Sequence, residues 1–203
     1  MGEPVGGQLP DLFRFGDVAG FGSGFVALGT EDGGLDSSGR GAIALVSPDG
    51  RTWTSYELPT PWPDSEVGSM AGTLVAGPTG LVAMGGTNST PGTTLWWSST
   101  SGRAWELLTG YPPLGTWDGP AEGSGLVENG VLLADGERMV AIHTGAEPAA
   151  WTSFDGRAWR ALVVEGGGPA NGYDWPVAGL VLTPIGVLGT VDDGSAWFGV
   201  PVT

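Results

Sequence analysis

Between the apolar runs of this 203-residue chain, aromatic rings stand close to carboxylates in three connections: Trp62 with Asp64, Trp117 with Asp118, and Tyr173 with Asp174 and Trp175. Tyr111 precedes the second group by six residues. Rings and carboxylates in this combination suit a sugar, whose C–H face stacks on an indole or phenol while its hydroxyls hydrogen-bond to the acid. The same acidic, aromatic surface would also suit a basic peptide or a protein partner. Trp62, Asp64, Tyr111, Trp117, Asp118, Tyr173, Asp174 and Trp175 are therefore the candidate ligand-binding set. No catalytic residue is singled out by spacing. Hydrolysis of a glycoside needs only two carboxylates at a suitable separation, and loop carboxylates are abundant here.

Composition removes several other chemistries. There is no cysteine, hence no thiolate nucleophile, thiolate metal site or disulfide framework. The single histidine, His143, occupies a place where related segments of the chain carry glycine, which points to packing or hydrogen bonding. No Ser-His-Asp arrangement, phosphate loop or histidine metal spacing is visible, so neither a metal nor a cofactor is expected. Asp192-Asp193 and Glu31-Asp32 with Asp36 offer oxygens but follow no calcium-loop spacing. The net charge is −15 and all seven basic side chains are arginines, so there is no basic stripe for nucleic acid. The longest apolar stretch, Val177 to Val191, is broken by Gly179, Pro184, Gly186 and Gly189 and is too short to insert in a membrane.

The elements that must position these residues announce themselves as repeats. Ser47-Pro48-Asp49-Gly50-Arg51-Thr52-Trp53 recurs as Ser99-Thr100-Ser101-Gly102-Arg103-Ala104-Trp105 and as Ser153-Phe154-Asp155-Gly156-Arg157-Ala158-Trp159. The tryptophans are 52 and 54 residues apart, a period that matches propeller blades. Short apolar runs before each box, such as Gly24 to Thr30, Gly80 to Thr87 and Met139 to Thr144, recur a fourth time at Gly186 to Thr190. With 39 Gly and 16 Pro between such runs, the chain reads as many short strands joined by tight turns.

The expected fold is all-β: one β-propeller domain, 1–203, of four blades with four antiparallel strands each. The blades cover about 11–58, 70–110, 128–165 and 177–203. The last repeat stops after its third strand, its box reduced to Gly199-Val200-Pro201-Val202. The N-terminal strand, 4–10, is expected to supply the missing outer strand and close the ring, since Gln8-Leu9-Pro10 matches Glu57-Leu58-Pro59. The alternative is a fragment of a larger propeller, or pairing with a second chain.

In each box the glycine suits a hairpin turn that demands positive φ, and the serine and aspartate can accept hydrogen bonds from the turn's amides. The tryptophan packs across the turn, with the arginine free to lie on an indole face. Ser47, Asp49, Gly50, Trp53, Ser99, Gly102, Trp105, Ser153, Asp155, Gly156 and Trp159 thus have structural duties.

This motif resembles the Asp-box, the bacterial neuraminidase repeat of sialidases and of many non-sialidase propellers, with one residue fewer between Asp and Gly. The resemblance implies a turn-stabilising element at the propeller edge, and a secreted or cell-surface setting. A sialidase would further imply an arginine triad, a tyrosine nucleophile with a glutamate, and an aspartate acid/base. Arg51, Arg103 and Arg157 are committed to boxes, Arg138 to a turn and Arg160 to an outer strand, so such a triad is hard to assemble.

The ten tryptophans divide into three in boxes, four on third strands (Trp96, Trp97, Trp151, Trp197) and three on connections between blades (Trp62, Trp117, Trp175). The last three lack a structural explanation. The expected function is a non-catalytic binding module for a glycan or protein. The alternatives are a glycoside hydrolase using loop carboxylates and a structural propeller that forms a homo-oligomer.

Overall fold

The computed structural model describes residues 5–6, 13–31, 41–61, 69–87, 94–108, 130–143, 149–165, 177–183, 186–191 and 196–201. Every element among them is a strand. After β1 (Val5–Gly6), the first repeat holds β2 (Phe13–Phe21), β3 (Gly24–Glu31), β4 (Ala42–Ser47) and β5 (Thr54–Glu57). The second holds β6 (Ser69–Gly77), β7 (Gly80–Thr87), β8 (Thr94–Ser99) and β9 (Glu106–Leu108). The third holds β10 (Gly130–Ala134), β11 (Met139–His143), β12 (Ala149–Ser153) and β13 (Arg160–Glu165). The last holds β14 (Val177–Thr183), β15 (Gly186–Val191) and β16 (Ala196–Pro201).

Each of the first three repeats is an antiparallel four-strand meander, and the strands fall where the apolar runs predict them. Side chains alternate across a strand, so a strand between two neighbours buries both its faces. On β7, Leu81 and Ala83 join the core shared with Val26 and Leu28 of the first repeat, while Val82 and Met84 join the core shared with Leu132 and Met139 of the third. Trp97 and Trp96 divide in the same way on β8. The repeats therefore stack face to face, and two successive apolar seams hold them together.

A bulge recurs at one register in three first strands: between Phe15 and Asp17, between Ala71 and Thr73, and between Val177 and Gly179. Bulges accentuate twist and redirect a side chain. In the first repeat that side chain is Asp17, which accepts from Val18 N–H (2.7 Å) and, across the seam, from Leu74 N–H (3.0 Å). Trp97 Nε1 donates to the Pro59 carbonyl (2.7 Å), a second polar tie between the first two repeats.

The expected closure is corrected. Val5–Gly6 pair with Ser55 and Thr54 of β5, so the N-terminal strand extends the first repeat's sheet. The last repeat's free edge is met by β13, with Val163 opposite Val200 and Leu162 opposite Pro201, giving a seven-stranded sheet in the order β10-β11-β12-β13-β16-β15-β14. The residues read as a reduced fourth box, Gly199, Val200 and Pro201, are strand residues of β16. The physical reason is local: β16 needs hydrogen-bonding partners, and joining it to β13 closes a far shorter loop than joining it to the N-terminus.

Candidate functional site

The chain's candidate chemistry divides between two ends of each repeat. At one end lie the box turns, which join third to fourth strands. Because β5, β9 and β13 run away from those turns, the connections 62–68, 109–129 and 166–176 start from the opposite end. Trp62, Asp64, Tyr111, Trp117, Asp118, Tyr173, Asp174 and Trp175 all fall in these connections and lie outside the described residues.

Residues at the same end that are described carry structural work. Phe13, Phe15 and Asp17 belong to β2, and the Asp17 carboxylate is tied to two backbone amides. Thr87 ends β7 and is buried. Ser69 is buried too, its Oγ accepting from Ala42 N–H (3.0 Å) across the first seam.

The box turns are built as their residue types demand. Ser47 Oγ accepts from Gly50 N–H (2.8 Å), and Asp49 Oδ1 accepts from Arg51 N–H (2.8 Å) and Thr52 N–H (2.9 Å). The third box repeats this, with Gly156 N–H on Ser153 Oγ (2.9 Å) and both Arg157 and Ala158 N–H on Asp155 Oδ1 (2.8 Å each). In the second box Ser101 substitutes with longer bonds from Arg103 N–H (3.2 Å) and Ala104 N–H (3.4 Å). The shortfall is met by Ser99 Oγ, which donates to the Ala104 carbonyl (2.6 Å). Trp105 and Trp159 lock the turns by donating from Nε1 to the carbonyls of Gly102 (2.9 Å) and Gly156 (3.3 Å).

Gly50, Gly102 and Gly156 have φ of 72°, 73° and 69°, the left-handed region that glycine enters without penalty. Two of them also fill close approaches. A Cβ on Gly102 would lie 2.8 Å from Val26 Cγ2 of the first repeat, and one on Gly156 would strike Val82 Cγ2 of the second. The second and third box turns are thus pinned onto the preceding repeat.

These contacts decide what the described carboxylates can do. Hydrogen bonds from Thr52 and Arg51 amides hold the Asp49 carboxyl below its ordinary value, and those from Ala158 and Arg157 do the same for Asp155. Asp135, in the β10–β11 turn, loses some hydration. Bonds from Glu137 and Arg138 amides and the Arg138 guanidinium outweigh that and keep it low as well. Carboxylates held in the ionised form by such donors are poor general acids. Among the described residues no group of three or more His, Asp or Glu is placed to hold a metal ion.

One feature of this rim was not read from the sequence. A cavity of about 260 Å³ opens between the second and third repeats, lined by Thr79, Ser98, Trp105, Glu106, Asp155 and Arg157 among others. The Arg157 guanidinium bonds to Glu106 across its mouth, both side chains more than half exposed, instead of lying on an indole. The available signal was the residue after the box tryptophan, which is Thr54, Glu106 or Arg160 in successive repeats.

No family model matches the sequence, and no curated protein does. Among solved structures, the Bombyx mori GH32 beta-fructofuranosidase BmSUC1 is similar, with a TM-score of 0.50 and 15% sequence identity. The likeness covers 93% of this chain and 43% of that one, so the chain spans less than half the length of the protein it matches. At this identity the likeness concerns the fold: an all-β, propeller-like stack of antiparallel sheets, distantly similar to a glycoside hydrolase propeller domain.

Proposed function

We propose that this chain is an Asp-box-type propeller module that binds a glycan, without catalysis, through the connections opposite the box turns. The observation that supports this reading is the engagement of five of the described carboxylates. Asp17, Asp49, Asp135 and Asp155 each accept backbone hydrogen bonds, and Glu106 is paired with Arg157. In this reading polar recognition falls to Asp64, Asp118 and Asp174, each close to a ring suited to stacking on a sugar face. The connections that carry them leave the same end of their repeats, and one, 109–129, is longer than a linker between stacked sheets requires.

The test is binding to a panel of immobilised oligosaccharides, followed by titration of the best one against Trp62→Ala, Trp117→Ala and Trp175→Ala. Each lost stacking ring is expected to weaken binding by about 5- to 10-fold, the equivalent of ~1 kcal/mol. Unchanged affinity in all three variants would remove the proposal. Turnover of an aryl-glycoside panel that stops on substitution of a single carboxylate would replace it with a hydrolase.

A further inference from the structure

The seams between repeats follow a rule that the first repeat leaves half fulfilled. Three register positions on the face turned toward the preceding repeat can be compared. Opposite Ala27, Ala83 and Ala141 stand Val18, Leu74 and Leu132. Val18 is 58% exposed, whereas Leu74 and Leu132 are 3% and 2% exposed. Next to the hairpin stand Phe25, Leu81 and Met139, with exposures of 44%, 1% and 1%. The box glycines agree: Gly102 and Gly156 are buried beneath Val26 and Val82 of the preceding repeat, and Gly50 is exposed with, among the described residues, Phe25 of its own repeat beside it, Cε2 3.6 Å from where a Cβ would stand. Trp53 packs on Ala27, Ile43 and Leu45 of the same face, so the uncovered part is the end near the box.

What fits such a surface is defined by the two seams already filled. The occupant is the opposite face of another repeat of this kind, with a branched aliphatic residue on its second strand at the position of Val26 and Val82. The last repeat supplies one. Leu188 stands opposite Val181 as Val26 stands opposite Ala19 and Val82 opposite Val75, and β14 carries the same bulge as β2 and β6. Within one chain, β16 is hydrogen-bonded to β13, which carries the last repeat as an extension of the third repeat's sheet, and Val18 and Phe25 of the first repeat stay exposed.

We propose that the box end of the first repeat, around Val18, Phe25 and Gly50, receives the last repeat of a second copy of this chain. The contact joins two different surfaces, and reciprocal exchange between two copies fills both and closes the assembly. It covers apolar side chains that a monomer exposes, the same driving force that buries Leu74 and Leu81.

Sedimentation equilibrium of the wild-type chain at micromolar concentration tests this, beside a Val18→Asp/Phe25→Asp variant whose substituted positions are solvated in the monomer. The expected result is a dimer for the wild type and a monomer for the variant, with the same circular dichroism. Because the chain has no cysteine, Phe25→Cys chains can be mixed with Leu188→Cys chains and treated with a short bismaleimide, which is expected to give a covalent heterodimer. A wild type that stays monomeric, or a variant that still dimerises, overturns the proposal. So does an intramolecular cross-link in a chain carrying both cysteines, which would put its own last repeat on the surface.

Discussion

At the scale of single residues, the box glycines carry two separable burdens. Any Cβ at Gly50, Gly102 or Gly156 strains a backbone at positive φ, at about 1 kcal/mol. At Gly156 it also strikes Val82, and overpacking adds roughly 1–3 kcal/mol. Gly156→Ala is therefore expected to lower the urea midpoint by clearly more than Gly50→Ala. Equal losses would mean that the turn alone is felt. The box aspartates give a second prediction. Their carboxyls lie below the ordinary value of 3.8, so the stability they contribute is present above that pH and is lost as the pH falls through their lower native values. An Asp49→Asn/Asp155→Asn variant keeps an oxygen acceptor in each turn and is expected to lose less stability between neutral and strongly acidic pH than the wild type. Parallel acid profiles would assign acid sensitivity elsewhere. These roles were legible from residue types, because Ser, Asp and Gly in this order specify a turn wherever they stand. The Arg157–Glu106 pair was not, since it joins residues 51 apart whose proximity comes from stacking.

At the scale of elements, strand positions followed from alternating apolar runs bounded by glycine and proline, and the second-strand runs marked all four repeats. Pairing between repeats was less legible. A strand edge specifies that it needs a partner without specifying which, and here β16 finds β13 while β1 finds β5. Hydrogen exchange separates the two arrangements. Deleting residues 1–7 is expected to speed exchange along β5 and to leave β13 and β16 protected. Loss of protection in β16 on that deletion would restore the N-terminal strand to the last repeat. The bulges were also invisible beforehand, since nothing in Phe15-Gly16-Asp17 distinguishes a bulge from a loop until the next repeat's Leu74 amide stands beside it.

At the scale of the whole molecule, two apolar seams make three repeats into one stack, and the box turns occupy the Asp49 and Asp155 carboxylates. The proposed glycan site belongs to the other end, where the aromatic connections begin. The candidate ligand residues were legible only as types and neighbours, because the connections lack the periodicity that identifies a strand. The most direct test of this division is a single comparison by calorimetric titration, using the best oligosaccharide from the panel against the wild type and two variants. Trp62→Ala/Trp117→Ala/Trp175→Ala is expected to abolish measurable binding with little change in melting temperature. Trp159→Phe, which loses the indole bond to Gly156, is expected to lower the melting temperature and keep the affinity. Full affinity in the triple variant, or affinity lost with the box tryptophan while the fold persists, would contradict the account.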